Sequence, residues 1–551
     1  LVSKPHFKPP AALLYSAAYQ SSHAAASHDD PAMVGWYPSS QSADADLIDE
    51  LPLIRERNID LERNNGYVAG ANQVFKDNIV GHQLRLNPGP VLQLLEWDAD
   101  QGEEWGREVR AQFESWANSP VEIDAAKDLN LRGLTIQALG AWFLTGNALA
   151  LPIWRPREGC RWNTRIQTVE AHRLESPPFF QSYTRSMRGG KEIDRDGAPV
   201  AYWFRKTQPG DERFDPIGTA TDPFQFRRVP AFYPWGRRRV IHLFDKERSG
   251  QSVGKPIVAA IMREFRMATQ YPRVELQATI ANSLVAGVLE SNLDGETNNN
   301  IFNSYQDRND SNRSGAEAYW KDAMDGARRS ATLKPGATLA LPLGAKFVGF
   351  TPNRPNNSFD KFMNSVLHNI GAGLNIPYEL LTKDFTQTNY SSARAAMLEA
   401  WRHFLSKRAW LEENWLNPIY ELWLEEAVNA GVVTAPGFYD SRYAYCATRK
   451  WTMTGRGWVD PSKEAQGAQV RMDSRISSLA QECAEQGNDW MEVIDQIKII
   501  EDYANEKGVQ LYAAASQGAG VAGAVDLAAA NVDGTDPNPN DNTGQQDQQA
   551  A

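Results

Sequence analysis

Apolar residues recur at three- and four-residue intervals along much of the first third of the chain, which is the signature of helices with one buried face. From Asp44 to Gly81 this helical pattern dominates and closes in "RNNGYVAGANQVFKDNIVG" (Arg63 to Gly81), where Tyr67, Ala71, Val74, Phe75 and Asn78 repeat at helical spacing. Gly81 suits the left-handed position that ends a helix. Further helices are predicted over Glu104 to Ala117 and Leu129 to Gly146. The pattern then shortens to runs rich in β-branched and aromatic residues, bounded by Gly, Pro or Asp: Ala148 to Arg155, Thr164 to Glu170, Pro199 to Lys206 and Arg238 to Phe244. These read as strands, and together with the helices they predict an α+β unit with mostly antiparallel pairing.

A long helical pattern follows from Lys255 to Ala286, about 45 Å if unbroken, with Pro272 expected to kink or break it. After Gly287 the chain turns Asn-rich and helix-poor, and two strand candidates follow, Ala331 to Gly336 and Ala337 to Phe350, so this stretch reads as a small insertion between helices. A second helix is predicted from Phe359 to Leu374, with Phe359, Met363, Val366, Ile370 and Leu374 on one stripe. A polar loop comes next, then a long helix from about Ser391 to Asn429 that Pro418 should bend. A strand-like patch, "GFYDSRYAYCATRKW", precedes two or three helices between Pro461 and Ala513. Residues before about 43 read as an extended arm, and the acidic stretch 516–551 has the composition of a disordered tail.

Length and charge narrow the picture. At 551 residues the chain exceeds what one core usually organises, so two to four units are expected. A net charge of −11 and a pI near 5.4 argue against holding nucleic acid by a broad basic surface. The three cysteines, Cys160, Cys446 and Cys483, stand far apart without a CxxC pair, which supports neither a disulfide framework nor a thiolate metal site and fits a reducing compartment. No run is long and apolar enough to span a membrane. The Ala-rich start imitates a signal peptide, but its prolines and histidines interrupt the apolar core, so we expect a cytosolic protein with a mobile arm. The first residue, Leu1, is consistent with trimming, processing or renumbering.

Candidate chemistry is sparse. "SGQSVGKP" (Ser249 to Pro256) imitates a phosphate-binding loop, yet the spacing from Gly250 to Gly254 is one residue short and Pro256 takes the hydroxyl position; a strand-to-helix turn with proline in the first helical turn fits better. The "GAG" of Gly371 to Gly373 reads as helix termination. The histidines form no metal-binding pair, so no metal or cofactor is expected. The paired carboxylates Glu412/Glu413 and Glu425/Glu426 read as solvated helix faces, and the seventeen tryptophans as core and interface residues. A carbohydrate-active hydrolase with two carboxylates on a Trp-rich platform and a virion structural protein without a DNA channel stand as alternative readings. The absence of a nucleophile motif favours a structural or assembly protein over an enzyme.

Four ordered stretches make the reading specific: Arg63 to Gly81, Arg248 to Pro256, "GAGLNIPYELLTKDFTQTNYSSARAAMLEAWR" (Gly371 to Arg402), and Gly455 to Val493. They resemble the lambda-type portal protein family of tailed bacteriophages. The resemblance implies a non-enzymatic ring of identical subunits, commonly twelve, at one capsid vertex of the virion, assembled in the bacterial cytoplasm and enclosing a channel for double-stranded DNA. Its implied partners are the terminase large subunit, the head-tail connector or adaptor, and the major capsid or scaffold protein, with no membrane. It also implies a division into a wing (44–254), a stem of two helices (255–287 and 356–376), a small α/β clip (288–355), a tunnel loop (377–392), a tunnel helix with the remaining wing (393–460) and a helical crown (461–515).

The resemblance casts Lys383, Thr386, Gln387, Thr388 and Asn389 as DNA-channel residues. Tyr390, Ser391 and Arg394 become loop or inter-subunit contacts, Ser391 being also a suitable N-cap. Tyr319, Trp320 and Lys321 become clip residues that dock partners. A loop of hydroxyls and amides with few cations is also physically apt, because each phosphate neutralised by Lys or Arg adds affinity through counterion release, and a sliding genome tolerates few such contacts.

Overall fold

The computed structural model describes residues 24–27, 30–178, 186–208, 210–211, 226–284, 288–291, 345–348, 359–386, 390–447, 450–455 and 461–509. The chain divides into two compact units, 1–459 and 460–551.

The first unit opens with helices α1 (Ala43–Leu47), α2 (Leu51–Asn64) and α3 (Gly66–Ile79), strand β1 (Leu84–Asn87), and helices α4 (Leu92–Leu95), α5 (Ala99–Ala117), α6 (Pro120–Ile123) and α7 (Leu131–Thr145). Asn65 is the hinge between α2 and α3. Its side-chain oxygen accepts the first free N–H groups of α3, from Tyr67 and Val68, while its Nδ2 donates to the Phe265 carbonyl and Thr269 Oγ1 200 residues away. Gly81 takes the left-handed conformation expected of it. Helix α5 starts five residues before its apolar pattern does, because Asp98 and Gln101 form a reciprocal capping box ahead of it.

The strands are β2 (Asn147–Trp154), β3 (Thr164–Val169), β4 (Ser186–Arg188), β5 (Lys191–Ile193), β6 (Pro199–Arg205), β7 (Phe226–Pro230) and β8 (Ile241–Phe244). They form one sheet of order β3-β2-β8 and another of order β4-β5-β6-β7, antiparallel throughout as expected. Pro152 is tolerated within β2 because β8 pairs only up to Ala150, leaving that end of β2 with one neighbour.

A 3₁₀ turn (Ile257–Ile261) leads into α8 (Met262–Leu284). Here Pro272 neither ends nor divides the helix; α8 runs through it, and the irregular turn lies at the start instead. Strand β9 (Val288–Ser291) pairs with β10 (Ala345–Val348), inside the second strand candidate. The earlier candidate, the clip residues Tyr319, Trp320 and Lys321, the start of the arm and the tail 516–551 lie outside the described residues.

Helix α9 (Phe359–Leu374) has the predicted limits and packs on α8, with Phe359 stacked 5.3 Å from Tyr271. It is followed by α10 (Tyr378–Thr382), α11 (Tyr390–Leu411), a π-helical turn (Glu412–Leu416), α12 (Asn417–Asn429), α13 (Arg442–Cys446) and β11 (Lys450–Met453). The expected single bent helix is therefore two helices joined by a π turn. Pro418 follows that turn directly, where the wider i→i+5 bonding relieves the clash a proline ring makes in a regular helix. The strand-like patch is a correction of another kind: Ala444, Tyr445 and Cys446 are buried in succession. A strand with one buried face would bury alternate residues, so a helical turn forms there and strand pairing begins only at Lys450.

Strand β11 pairs with β1 across more than 360 residues, closing the unit around its aromatic core. Trp116, Trp142, Trp162, Trp415 and Trp423 are fully buried, with Phe113 and Trp423 at 5.1 Å edge to face. This agrees with the expected core role of the tryptophans and removes those rings from any surface platform.

The second unit contains α14 (Pro461–Asp473), α15 (Leu479–Glu485) and α16 (Trp490–Lys507). Ser478 and Gln481 cap α15 reciprocally, and Arg471 of α14 grips Glu482 with two hydrogen bonds of 2.8 and 2.6 Å.

Candidate functional site

The polar loop is built on two rigid supports. On its N-terminal side, α9 buries Met363, Leu367, Ile370 and Leu374 and ends in a Schellman motif. Asn375 adopts the left-handed conformation, Ile376 N–H donates to the Gly371 carbonyl at 3.0 Å, and Asn375 N–H donates to the Ala372 carbonyl at 3.3 Å. Gly371 and Gly373 thus lie inside the last turn and do not terminate the helix. They are required by close approach: a Cβ at Gly371 would meet the Ile376 carbonyl oxygen at 2.8 Å, and one at Gly373 would meet Ile261 Cγ2 at 2.4 Å.

Pro377 follows, as proline often does after such a motif, and starts the single turn of α10. Tyr378 fastens that turn to α9 by stacking 4.6 Å from His368 and donating to Asn364 Oδ1 at 3.2 Å. Lys383, exposed and left-handed, closes α10. The chain then turns on Asp384, which accepts from both the Thr386 N–H (3.0 Å) and the Thr386 hydroxyl (2.6 Å). Those two bonds hold the Asp384 carboxyl below the usual carboxylate range. Phe385 beside it is half exposed.

Thr386 is therefore exposed but already committed as a donor. Gln387, Thr388 and Asn389 lie outside the described residues. Tyr390 is the first residue of α11, so Ser391 is its second and not the N-cap anticipated for it; the helix simply begins one residue earlier. Ser391 is exposed and Arg394 half-buried. Sequence reasoning missed Asp384, although an Asp two residues before a Thr is a recognisable turn signal. The described part of 377–392 thus carries one cation, Lys383, and two anions, Glu379 in α10 and Asp384.

On the C-terminal side, α11 is anchored near its end. Lys407 pairs with Asp245 and lies over the rings of Trp142 and Trp410. Arg408 donates to the Asn78 and Thr454 carbonyls at 2.6 and 2.5 Å and stacks on Trp401. Glu412, one turn on, begins the π turn. Burial pushes its carboxyl up from 4.5 to about 7, against the pull of Arg408. A carboxyl whose folded value is raised binds more protons in the folded state, so it opposes folding increasingly as pH rises from about 4.5 to about 7. Glu412→Gln is expected to add about 1–2 kcal/mol of stability at about pH 8, allowing for partial exposure, and nothing at about pH 4. Urea unfolding at the two pH values measures this, and equal gains at both would refute it.

The other paired carboxylates correct an expectation. Glu425 and Glu426 are buried, not solvated. Glu426 accepts the backbone N–H groups of Asn163 and Thr164 at 2.7 and 2.9 Å, and Glu425 accepts from Arg237 and Arg442 at 3.1 and 3.4 Å. Their partners lie far off in sequence, which is why helical position alone suggested a solvated face.

The Ser249 to Pro256 turn is likewise structural. Asp44 accepts from the Ser252 N–H and hydroxyl, both at 2.7 Å, and Asn147 bonds both the N–H and the carbonyl of Gly254. Pro256 precedes the 3₁₀ turn. Among the described residues no group of three His, Cys, Asp or Glu could hold a metal ion, and no helix is long and apolar enough to cross a membrane.

Comparison with known proteins adds a family. The family model described as "Phage portal protein, lambda family" matches residues 29–408, which takes in the loop and both its supports and stops short of the stretch from Gly455 to Val493. The portal protein of Escherichia phage N15 is 28% identical over 475 residues, covering 84% of this chain and 86% of the relative. Portal protein B of Escherichia phage lambda is 28% identical over 475 residues, covering 84% and 85%. Among solved structures, a chain of the virion of a native gene transfer agent particle aligns with a TM-score of 0.38 at 11% identity, covering 80% of this chain and 93% of that one.

Proposed function

The chain belongs to the lambda family of phage portal proteins, and from that premise we propose that it works as a ring of twelve identical copies around a channel that double-stranded DNA traverses. It is a portal protein of a tailed phage, a virion component, and we assign it no catalytic step. In this reading the segment 377–392 faces the channel, with Lys383, Thr386, Gln387, Thr388 and Asn389 touching the genome and Tyr390, Ser391 and Arg394 holding the loop or a neighbouring copy. The wing, stem, clip and crown take the residue ranges given above. The clip, through Tyr319, Trp320 and Lys321, docks the terminase large subunit during packaging and the connector afterwards, while capsid or scaffold protein surrounds the ring.

One observation carries the channel reading: a segment with one lysine, one aspartate and one glutamate in its described part, set between a Schellman motif on α9 and the anchored helix α11. DNA presents one charge per about 1.7 Å of axis, so near-neutral contacts let it pass without gripping. Confinement by a closed ring then replaces affinity, and an acidic chain is compatible with that task.

Electron micrographs of the purified full chain test the assembly; rings with a central hole are expected, and a monodisperse monomer at high concentration would count against it. For the clip, Trp320→Ala is expected to weaken terminase or connector docking about tenfold, the scale of an interface tryptophan, with rings intact. Unchanged docking would remove Trp320 from the interface.

A further inference from the structure

The connection from β7 to β8, which folds into a small hairpin of its own through the Phe232–Arg238 bridge, carries an unusual concentration of arginine and aromatic side chains, "AFYPWGRRRV" (Ala231 to Val240). Its tip is a rigid turn. Pro234 presets the turn conformation, the Gly236 N–H donates to the Tyr233 carbonyl at 2.9 Å, and Gly236 takes the left-handed conformation that a three-residue hairpin loop needs. The Tyr233 N–H donates to the Arg237 carbonyl at 2.7 Å, and the Arg239 N–H to Ala231 at 2.9 Å.

The three arginines have different duties. Arg237 is an anchor: it reaches Glu425, the Leu422 carbonyl and Thr164 Oγ1, tying the hairpin to α12 and β3. Arg238 and Arg239 stack on Phe232 (5.3 Å) and Tyr233 (4.5 Å). Among the described residues neither guanidinium has a hydrogen-bonded or ion-paired partner. Stacking fixes a guanidinium plane while leaving its edge donors open, which is the geometry that receives a carboxylate through two parallel bonds. Beside Arg239, Trp235, stacked on Tyr233 at 4.5 Å, is 65% exposed, and Trp154 is 58% exposed.

We propose that this hairpin is a docking site for a short acidic segment of a partner protein, with a carboxylate on Arg239 and an apolar side chain against Trp235; Phe232 and Arg238 pair across the ribbon and face its other side. Trp, Tyr and Arg are the residues that dominate protein interfaces, and a turn already held in shape loses little entropy on binding. The area, the charge and the exposed rings of the site select the occupant. Trp154, which lies under Arg237, and Trp235 together offer about 200–300 Å² of ring surface, well under the ~800 Å² per partner of a standard interface, so a segment fits better than the face of a second copy. A net charge of −11 opposes a polyanionic duplex more than a peptide of few charges. The exposed rings need apolar contacts, which a duplex backbone does not supply.

The test uses the full chain and a short fluorescein-labelled peptide of aspartate and glutamate around a central phenylalanine, followed by anisotropy. Wild type is expected to bind it, the Asn/Gln version of the peptide not to bind, and both Trp235→Ala and Arg239→Ala to lose affinity about tenfold or more. Equal binding by wild type and variants overturns the proposal. So does tighter binding of a short DNA duplex than of the peptide, or dissociation of the assembly by Arg239→Ala, which would make the occupant a second copy. If Arg239→Ala fails to fold, Arg239→Lys keeps the charge and removes the planar fork; weaker binding is expected from it too, and unchanged binding is refuting.

Discussion

Glu425→Ala is expected to lower the stability of the full chain by about 3–5 kcal/mol, the cost of leaving a buried charge without its partner. Glu425 is 3% exposed and receives Arg237 and Arg442 from two directions. Arg237 cannot turn to water without releasing Thr164 and the Leu422 carbonyl, so the loss falls on the contact of the hairpin after β7 with α12 and β3. Glu413→Ala, on the exposed side of the preceding π turn, serves as the control and should change stability by less than about 0.5 kcal/mol. Urea midpoints measure both, and a Glu425 effect as small as that of Glu413 would show the cluster to be dispensable. Both carboxylates of the 425/426 pair are already occupied by arginines and backbone N–H groups, which leaves them unsuited to the acid and base roles of a hydrolase.

Shortening the chain between Thr382 and Asn389 is expected to leave assembly intact while packaged DNA falls by about an order of magnitude or more. The cut spares the structure on either side: the Schellman motif ends at Ile376, the Tyr378 contacts lie within α10, and α11 is held through Lys407 and Arg408. Loss of assembly would instead make the loop a contact between copies. Thr386→Lys and Thr388→Lys give the complementary result, because every added cation brings a phosphate contact whose affinity falls with salt. DNA passage should slow, and slow most at low ionic strength; an unaffected packaging rate would sink the sliding-contact idea. Thr386→Lys also removes the hydroxyl that donates to Asp384, so Thr386→Val separates that loss from the added charge.

The helices with a one-sided apolar stripe were legible from the chain alone. Phe359 to Leu374 was bounded to the residue, because its stripe is continuous and its stop lies in the sequence that follows. Where pattern and structure parted, the cause was a contact from elsewhere. Asp98 and Gln101 lengthen α5 without apolar periodicity, and Tyr445 draws a strand-like segment into a helical turn against Trp97 and Trp105. The candidate loop was found by composition, yet its internal bond from Thr386 to Asp384 was not, since a local turn shows only once the backbone is bent.

By itself the sequence determined the main helices, four of the strands, the antiparallel α+β class, the absence of disulfide and zinc patterns, and the motifs that place the chain among lambda-type portals. These rest on local periodicity and short-range spacing, which need no knowledge of what lies across the core. Only the tertiary structure decided that Glu425 and Glu426 are buried, that Gly371 and Gly373 serve close packing, that a π turn absorbs Pro418, and that Arg238 and Arg239 have no ion-pair partner among the described residues. Burial and pairing depend on partners hundreds of residues away, and desolvation turns the same carboxylate from a solvated surface charge into a structural one.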